Sequence, residues 1–492
     1  MSIKQKAIKG ALWTAIQNWV GQTGAFVVFF VLARLLQPED FGLVALANVF
    51  LAFMQIFLEQ GFAQALIQRD NLEPDHLNTA FWSNVAIGIL LATLSFIGAD
   101  GIAYGFQQPQ LAPILRCLSL IFIINALKGT QQAILERKFA FKTLAVRSIM
   151  GIVIGGLVGI IMAIAGFGVW SLVGQQLTNE LMGTLVLWNA SKWRPGFSFS
   201  FIHFKQLFKF GSNILVFNFI SFFNTRLNDF LIGYFLGTTA LGYYGISYRI
   251  LQVGTQLLVK TTSGVSLPTF SRLINDLDRF RSAFYAVTRL TSVVAFPVFV
   301  GMGVLAPELV TVLFGQQWLP TVPLIQLLAI SGVLRSVSFF KSSVLVAMGY
   351  PVWTVRLKLL SVVLNIVGFA IAYRWGIVAV TAATVIRSII VFPIGQWVIS
   401  KIVDIPLWKY LGQFAVPLIS SLGMMTVLLI SRKYLEFDLD TKLSFLFTNT
   451  LLGAITYLLL IRTLSPKIFS EFINLGKIAL SKSQKKTQKI RD

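Results

Sequence analysis

RLLQPEDFGLVALANVFLAFMQIFLEQGFAQALI, residues 34–67, opens on a charged, proline-bearing turn and runs into an apolar stretch that carries Asn48, Gln55 and Glu59. About 20 apolar residues in a row cross a bilayer as a helix, because a helix satisfies its own backbone where no water can. The stretch therefore predicts a membrane helix over 41–67, entered through a tight turn. Runs of the same kind fill the chain, which is 56% hydrophobic and 12% charged with 43 Phe and a mean hydropathy of +0.76. No soluble globular protein has this composition.

Breaking the chain at Gly, Pro and charge clusters predicts helices over 12–36, 41–67, 79–101, 112–135, 143–165, 168–190 and 211–236. A second set is expected over 241–267, 287–312, 320–347, 356–375, 376–400, 409–431 and 443–464. The expected fold is thus all-α and integral to the membrane, with about 14 transmembrane helices. Basic residues give an independent test, since cytoplasmic loops retain Lys and Arg. With the N-terminus inside, the outer connections hold only Arg34, Arg374, Arg432, Lys433 and Lys442, while Lys4, Lys6, Lys9, Arg137, Lys138, Lys142, Arg147, Lys192–Lys209 and Arg272–Arg289 fall inside. Both termini are expected in the cytoplasm. The net charge of +22 then reports topology, and nucleic-acid binding is not expected, because no soluble basic module with interleaved aromatics is present.

MSIKQKAIKG, residues 1–10, resembles a secretory leader, yet no small-residue cleavage site follows it, so cleavage is not expected. Cys117 is the sole cysteine and reads as a small buried apolar residue. His76 and His203 are expected in separate cytoplasmic loops without ligand-spaced partners, and no metal site is expected.

Internal repetition is faint but readable. At one constant offset, Asn18, Leu36, Phe41 and Gly42 fall on Asn218, Leu236, Leu241 and Gly242. GFQQPQLAPILRCLSL at 105–120 likewise resembles FGQQWLPTVPLIQLLAI at 314–330, and in both a proline opens the next helix. Two six-helix lobes related by a pseudo-two-fold axis are expected over 1–200 and 201–405. A further helix pair is expected over 406–464, and an amphipathic surface helix with a basic tail over 465–492.

LQPEDFGLVALANVFLAFMQIFLEQGFAQALIQR (36–69), HLNTAFW (76–82), GFGVWSLV (166–173), LNDFLIGYFLGTTALGYYGISYRI (227–250), LPTFSRL (267–273) and APELVTVLFGQQWLPTVPLIQLLA (306–329) together resemble the Wzx-type polysaccharide and oligosaccharide flippases. These belong to the colanic-acid-exporter-like branch of the multidrug, oligosaccharidyl-lipid and polysaccharide (MOP) exporter superfamily. The resemblance implies a multi-pass bacterial inner-membrane protein that is not an enzyme. It also implies translocation of undecaprenyl-pyrophosphate-linked oligosaccharide, as in exopolysaccharide, capsule or lipopolysaccharide O-antigen biosynthesis, by alternating access. A polysaccharide polymerase and a chain-length regulator are the partners so implied, besides membrane lipids.

Ionisable side chains inside a membrane cost roughly 3 kcal/mol each on insertion scales, so they face a cavity or a partner. The cations expected within helices are Arg116, Lys128, Arg226, Arg249, Lys260, Arg335, Lys341 and Arg387, opposed by Glu59, Glu180 and Asp229. Arg249, Gln252, Gln256 and Lys260 share one helical face, as do Asn48, Gln55 and Glu59, and as do Asn218, Thr225 and Asp229. Arg226 precedes Asp229 by three residues, close enough to pair. A cation-rich cavity is expected from Arg226, Arg249, Lys260, Arg335, Arg387, Lys128, Gln252, Gln256 and Asn218, suited to a pyrophosphate or acidic sugar because guanidinium grips phosphate bidentately. Arg116 and Lys341 stand near helix ends, where long side chains reach an interface.

No cofactor is expected beyond coupling to a proton or sodium gradient through Asp229, Glu59 or Glu180. A multidrug exporter of the same superfamily is the alternative, and a cationic drug suits such a cavity poorly. A membrane glycan polymerase or transferase would need an active site on a long outer loop, and the outer connections are short. The DLD triplets at Asp276–Asp278 and Asp438–Asp440 lack the nucleotide-binding domain such a motif needs.

Overall fold

The computed structural model describes residues 3–59, 61–69, 71–255, 270–434 and 442–471. Every regular element among them is a helix: α1 (Ile3–Leu35), α2 (Pro38–Leu58), α3 (Phe62–Gln68), α4 (Pro74–Gly105), α5 (Leu111–Arg137), α6 (Phe141–Ile164), α7 (Trp170–Ala190), α8 (Phe201–Phe235), α9 (Gly237–Thr255), α10 (Leu277–Val304), α11 (Ala306–Leu313), α12 (Val322–Ser338), α13 (Lys341–Ala347), α14 (Pro351–Ala372), α15 (Gly376–Val403), α16 (Leu407–Gly412), α17 (Ala415–Tyr434) and α18 (Lys442–Leu464), with 3-10 turns at Gln316–Thr321 and Tyr373–Trp375. Among the described residues ten stretches are long and apolar enough to cross a membrane, and one of them, Pro351–Val403, holds both α14 and α15. Apolar side chains such as Val352, Leu359, Val363 and Ile366 stand exposed along α14, as a lipid-facing surface requires.

The chain forms two compact units, Met1–Gly245 and Ile246–Asp492. In the first, α6 packs on α1 and α7, α4 on α5, α5 on α7, and α2 on α8. In the second, α10 packs on α12 and α17, α12 on α15, α14 on α15, and α17 on α18. Pro38 and the Asp40 carboxylate, which accepts from the Gln37 amide at 2.9 Å, start α2. Such an N-terminal box satisfies an amide the helix cannot. One turn on, Gly42 passes so close to α9 that any Cβ would overlap the Thr238 carbonyl, and Gly242 of α9 would overlap the Pro38 carbonyl in the same way. Each glycine thus approaches the residue four before the other, the reciprocity of a two-fold contact.

Several expected boundaries move. The helix expected over 41–67 is broken into α2 and α3, because Gly61 takes a left-handed conformation (φ 78°) that ends a helix. Glu59 is the exposed C-cap residue of α2, its amide still bonded to the Gln55 carbonyl one turn earlier. His76 and His203, expected in loops, lie in the first turns of α4 and α8. α8 starts ten residues early because Phe204 and Leu207 bury themselves against Phe62, Ala65, Leu66, Ala80 and Ala133. The runs expected over 287–312 and 320–347 are divided at Leu305 and at Phe339–Phe340.

The final helix pair is fastened to α10. Met424, Leu428, Tyr457 and Ile461 join Val293, Val304 and Leu305 in one apolar cluster, which Ile468 and Phe469 extend. The Tyr457 hydroxyl donates to the Val293 carbonyl at 2.6 Å. Arg432 meets the buried Glu308 at 3.2 Å, and Arg289 meets Glu471 at 2.7 Å. The remainder of the expected surface helix and tail, from 472, lies outside the described residues.

Candidate functional site

In the first unit a polar seam runs through the bundle from α2 to α5, α6 and α7. Gln176 of α7 donates to Asn48 of α2 at 3.0 Å. Gln55 donates to Glu59 at 3.2 Å and accepts from Asn125 of α5 at 3.4 Å. Three residues beyond Asn125, Lys128 forms an ion pair with Glu180 of α7, and Glu59 and Arg147 also act electrostatically on it. Arg147 of α6 donates to Gln132 at 2.6 Å, and Gln132 to Glu136 at 2.7 Å. Asn125, Lys128 and Gln132 repeat at i, i+3 and i+7, and Gln176 and Glu180 at i and i+4. That is the one-face pattern used for Arg249 and its neighbours, so the sequence did hold a signal for Asn125, Gln132 and Gln176.

Two further cations of this unit have carboxylate partners. Arg226 meets Asp229 at 3.3 Å within α8, as their spacing suggests, with the arginine side chain 44% exposed. Arg116 pairs with Asp100 of α4 and lies over the Phe96 ring; Asp100, at the end of its expected helix, was not counted among the opposing acids. Asn218 is half-buried on α8.

In the second unit three of the expected intramembrane cations have neutral neighbours. Arg335 of α12 donates to the Tyr248 hydroxyl at 3.0 Å, its guanidinium carbon 5.2 Å from that ring's centre. Arg387 of α15 donates to the buried Asn365 carboxamide of α14 at 3.1 Å. Lys341 of α13 lies 5.8 Å from the Phe392 ring centre. Arg249 and Gln252 are exposed on α9, whereas Gln256 and Lys260 lie outside the described residues. The Tyr248 phenol orients the Arg335 guanidinium without neutralising it.

A third grouping joins residues that the sequence kept far apart. His76 and His203 stack edge to face with ring centres 4.1 Å apart, and His203 Nε2 lies 3.3 Å from a Glu73 carboxylate oxygen.

The comparisons agree with the membrane fold. The model of a family described as polysaccharide biosynthesis proteins matches residues 31–323. The chain belongs to this family. Among relatives, the teichuronic acid biosynthesis protein TuaB of Bacillus subtilis is 27% identical over 97% of this chain and 100% of its own length. The lipopolysaccharide biosynthesis protein WzxC of Escherichia coli is 28% identical over 70% of this chain and 71% of its own. The succinoglycan biosynthesis transport protein ExoT of Rhizobium meliloti is 31% identical over 65% of this chain and 66% of its own. Among solved structures, the lipid II flippase MurJ in an inward closed conformation superposes with a TM-score of 0.73 at 17% identity, covering 94% of this chain and 99% of that one. An inward-facing MATE multidrug transporter of the MOP superfamily gives 0.62 at 15% identity, covering 80% and 99%. This member of the polysaccharide biosynthesis protein family thus has the MOP transporter fold and is a multi-pass protein of the bacterial inner membrane.

Proposed function

We propose that this chain is a flippase that carries lipid-linked oligosaccharide units across the inner membrane, with an anionic pyrophosphate link as the group that the second unit's cations hold. The observation that carries the reading is Arg335, fixed in a membrane-spanning stretch by a phenol and an aromatic face. A cation kept at the cost of membrane burial and oriented by a neutral group is placed to meet an anion. Family membership and relatives named for polysaccharide biosynthesis and transport support the same direction. The fold alone is shared with a multidrug transporter and does not separate the two uses.

Arg226, Arg249, Lys260, Arg387, Gln252, Gln256 and Asn218 are assigned with Arg335 to the substrate path. The Lys128–Glu180 pair with Glu59 is assigned to proton or sodium coupling: a cation or proton arriving on a carboxylate would loosen the pair and let its helices shift. Fourteen spans with both termini cytoplasmic, in two six-helix lobes and a terminal pair, belong to the same proposal, and the reciprocal approach of Gly42 and Gly242 supports the repeat. The units delivered to the far face would be consumed by a polymerase under a chain-length regulator.

The test is glycan export in cells that lack the native gene and express each variant. Arg335→Ala and Arg387→Ala should abolish surface polysaccharide at normal membrane abundance. Wild-type polysaccharide from both would refute the reading.

A further inference from the structure

We propose that Glu73, His76 and His203 form a binding site for a divalent transition-metal ion of the zinc class. Each residue offers a ligand atom, and these atoms lie within 4.8 Å of one another, so that small side-chain rotations bring them to the separations of under about 4 Å that donors take around one ion at bond lengths of about 2 Å. Two imidazoles and a carboxylate favour zinc and its neighbours over magnesium or calcium, which prefer oxygen alone.

Two ring nitrogens are open. His76 is 1% exposed, and its Nε2 is buried without a hydrogen-bond partner, as is Nδ1 of His203. A buried polar atom left unpaired costs about 1–3 kcal/mol, and an ion between the rings removes that cost at both. Glu73 is 64% exposed on its carboxylate side, leaving room for a water as fourth ligand.

The ligands sit on fixed elements. Glu73 is the N-cap of α4 and His76 its third residue, so the two side chains share one helical entrance. His203 arrives on the first turn of α8, and the segment before it is laced to α4. Gly196 and Ser200 donate their amides to Asn78 at 2.9 Å and Thr79 at 3.1 Å. Ser198 donates to Asp75 at 2.8 Å and accepts from Asn78 at 2.8 Å, and Trp82 donates to the Gly196 carbonyl at 2.8 Å. Supports of this kind hold ligands in place before an ion arrives.

Two features oppose the ion. His76 Nδ1 now accepts from the Glu73 amide at 3.3 Å, so a bare Nε2 requires the ring proton to move to Nδ1 and that long bond to be lost. Arg69, His203 and Glu73 lie within electrostatic reach of His76, and the Gln206 side chain lies within hydrogen-bonding reach of its ring. The Glu73 carboxylate offsets the arginine, and the ion would tie α4 to α8.

The experiment uses the full chain, purified in detergent on a tag without histidine and stripped of metal by a chelator. Zinc uptake is measured by calorimetry and by metal analysis, and cobalt is used as an absorbing substitute. Wild type should bind a single equivalent and give the strong visible bands of tetrahedral cobalt. His203→Ala and Glu73→Gln should each weaken zinc at least about 100-fold, at or beyond the upper end of the loss for an outer-shell partner. Because His76→Ala opens a buried hole, His203→Ala, whose side chain is 17% exposed, is the deciding variant, its folding checked by thermal unfolding without metal. No zinc uptake by wild type would overturn the proposal, as would equal uptake by wild type and His203→Ala.

Discussion

The two units meet the same difficulty, a cation inside a membrane, in different ways. In Met1–Gly245, Arg116, Lys128 and Arg226 each have a carboxylate partner: Asp100, Glu180 and Asp229. In Ile246–Asp492, Arg335 is held by a phenol, Arg387 by a carboxamide, and Lys341 lies by an aromatic ring. Among the carboxylate pairs of the second unit, Arg432–Glu308 and Arg289–Glu471 stand where the terminal helix pair docks on its bundle, and Arg279–Asp276, Arg281–Asp278 and Arg281–Asp404 lie outside the expected spans. A pair that neutralises itself holds helices together. The Arg335 guanidinium, held by a neutral phenol, keeps its field for something that arrives.

The largest stability effect should come from breaking the pair between α5 and α7. Lys128→Met or Glu180→Gln alone leaves one partly buried charge unpaired, and the loss should approach the ~3 kcal/mol seen when one partner of a buried pair is removed. The double variant Lys128→Met with Glu180→Met should regain most of it. Thermal unfolding in detergent checks this, and a double variant worse than both singles would break the comparison.

Next in size is the docking pair of the second unit. Glu308 is 1% exposed and Arg432 40%, so Arg432→Ala should cost about 2 kcal/mol, less than for a fully enclosed pair. Glu308→Gln should cost less, since an amide still accepts from the arginine. Equal costs for the two would mean that the charge of Glu308 is not what matters there.

Tyr248→Phe should cost only about 1 kcal/mol, the net worth of one hydrogen bond, yet reduce export several-fold by releasing Arg335. Asp229→Asn should be milder still in stability, within about 1 kcal/mol, because the partner it leaves, Arg226, is 44% exposed and an exposed charge loses little. If Arg226 serves only its partner, replacing both should restore export relative to Arg226→Ala. If it also meets substrate, Asp229→Asn should not rescue it.

Much of this was legible from spacing and some was not, for a physical reason. Apolar length set the helices, and residues one turn apart revealed the Arg226–Asp229 pair, because both signals live within a single helix. Lys128 and Glu180 stand 52 positions apart, and only the packing of α5 on α7 shows that they meet. His76 and His203 were separated for the same reason, joined in space by the lacing of residues 196–200 onto α4. The break at Gly61 was missed because apolar residues continue on both sides of it. A left-handed glycine ends a helix without any change in hydropathy.

The most direct measurement compares the affinity of the purified full chain for undecaprenyl pyrophosphate in three forms: wild type, Arg335→Ala with Arg387→Ala, and Lys128→Met with Glu180→Met. If the neutral-held cations serve the substrate, the arginine double variant should lose at least about 10-fold, as removal of charge-assisted phosphate contacts demands. The Lys128–Glu180 double variant should bind as wild type does. Unchanged affinity without Arg335 and Arg387, or a loss confined to the Lys128–Glu180 variant, would contradict the division of labour between the two units.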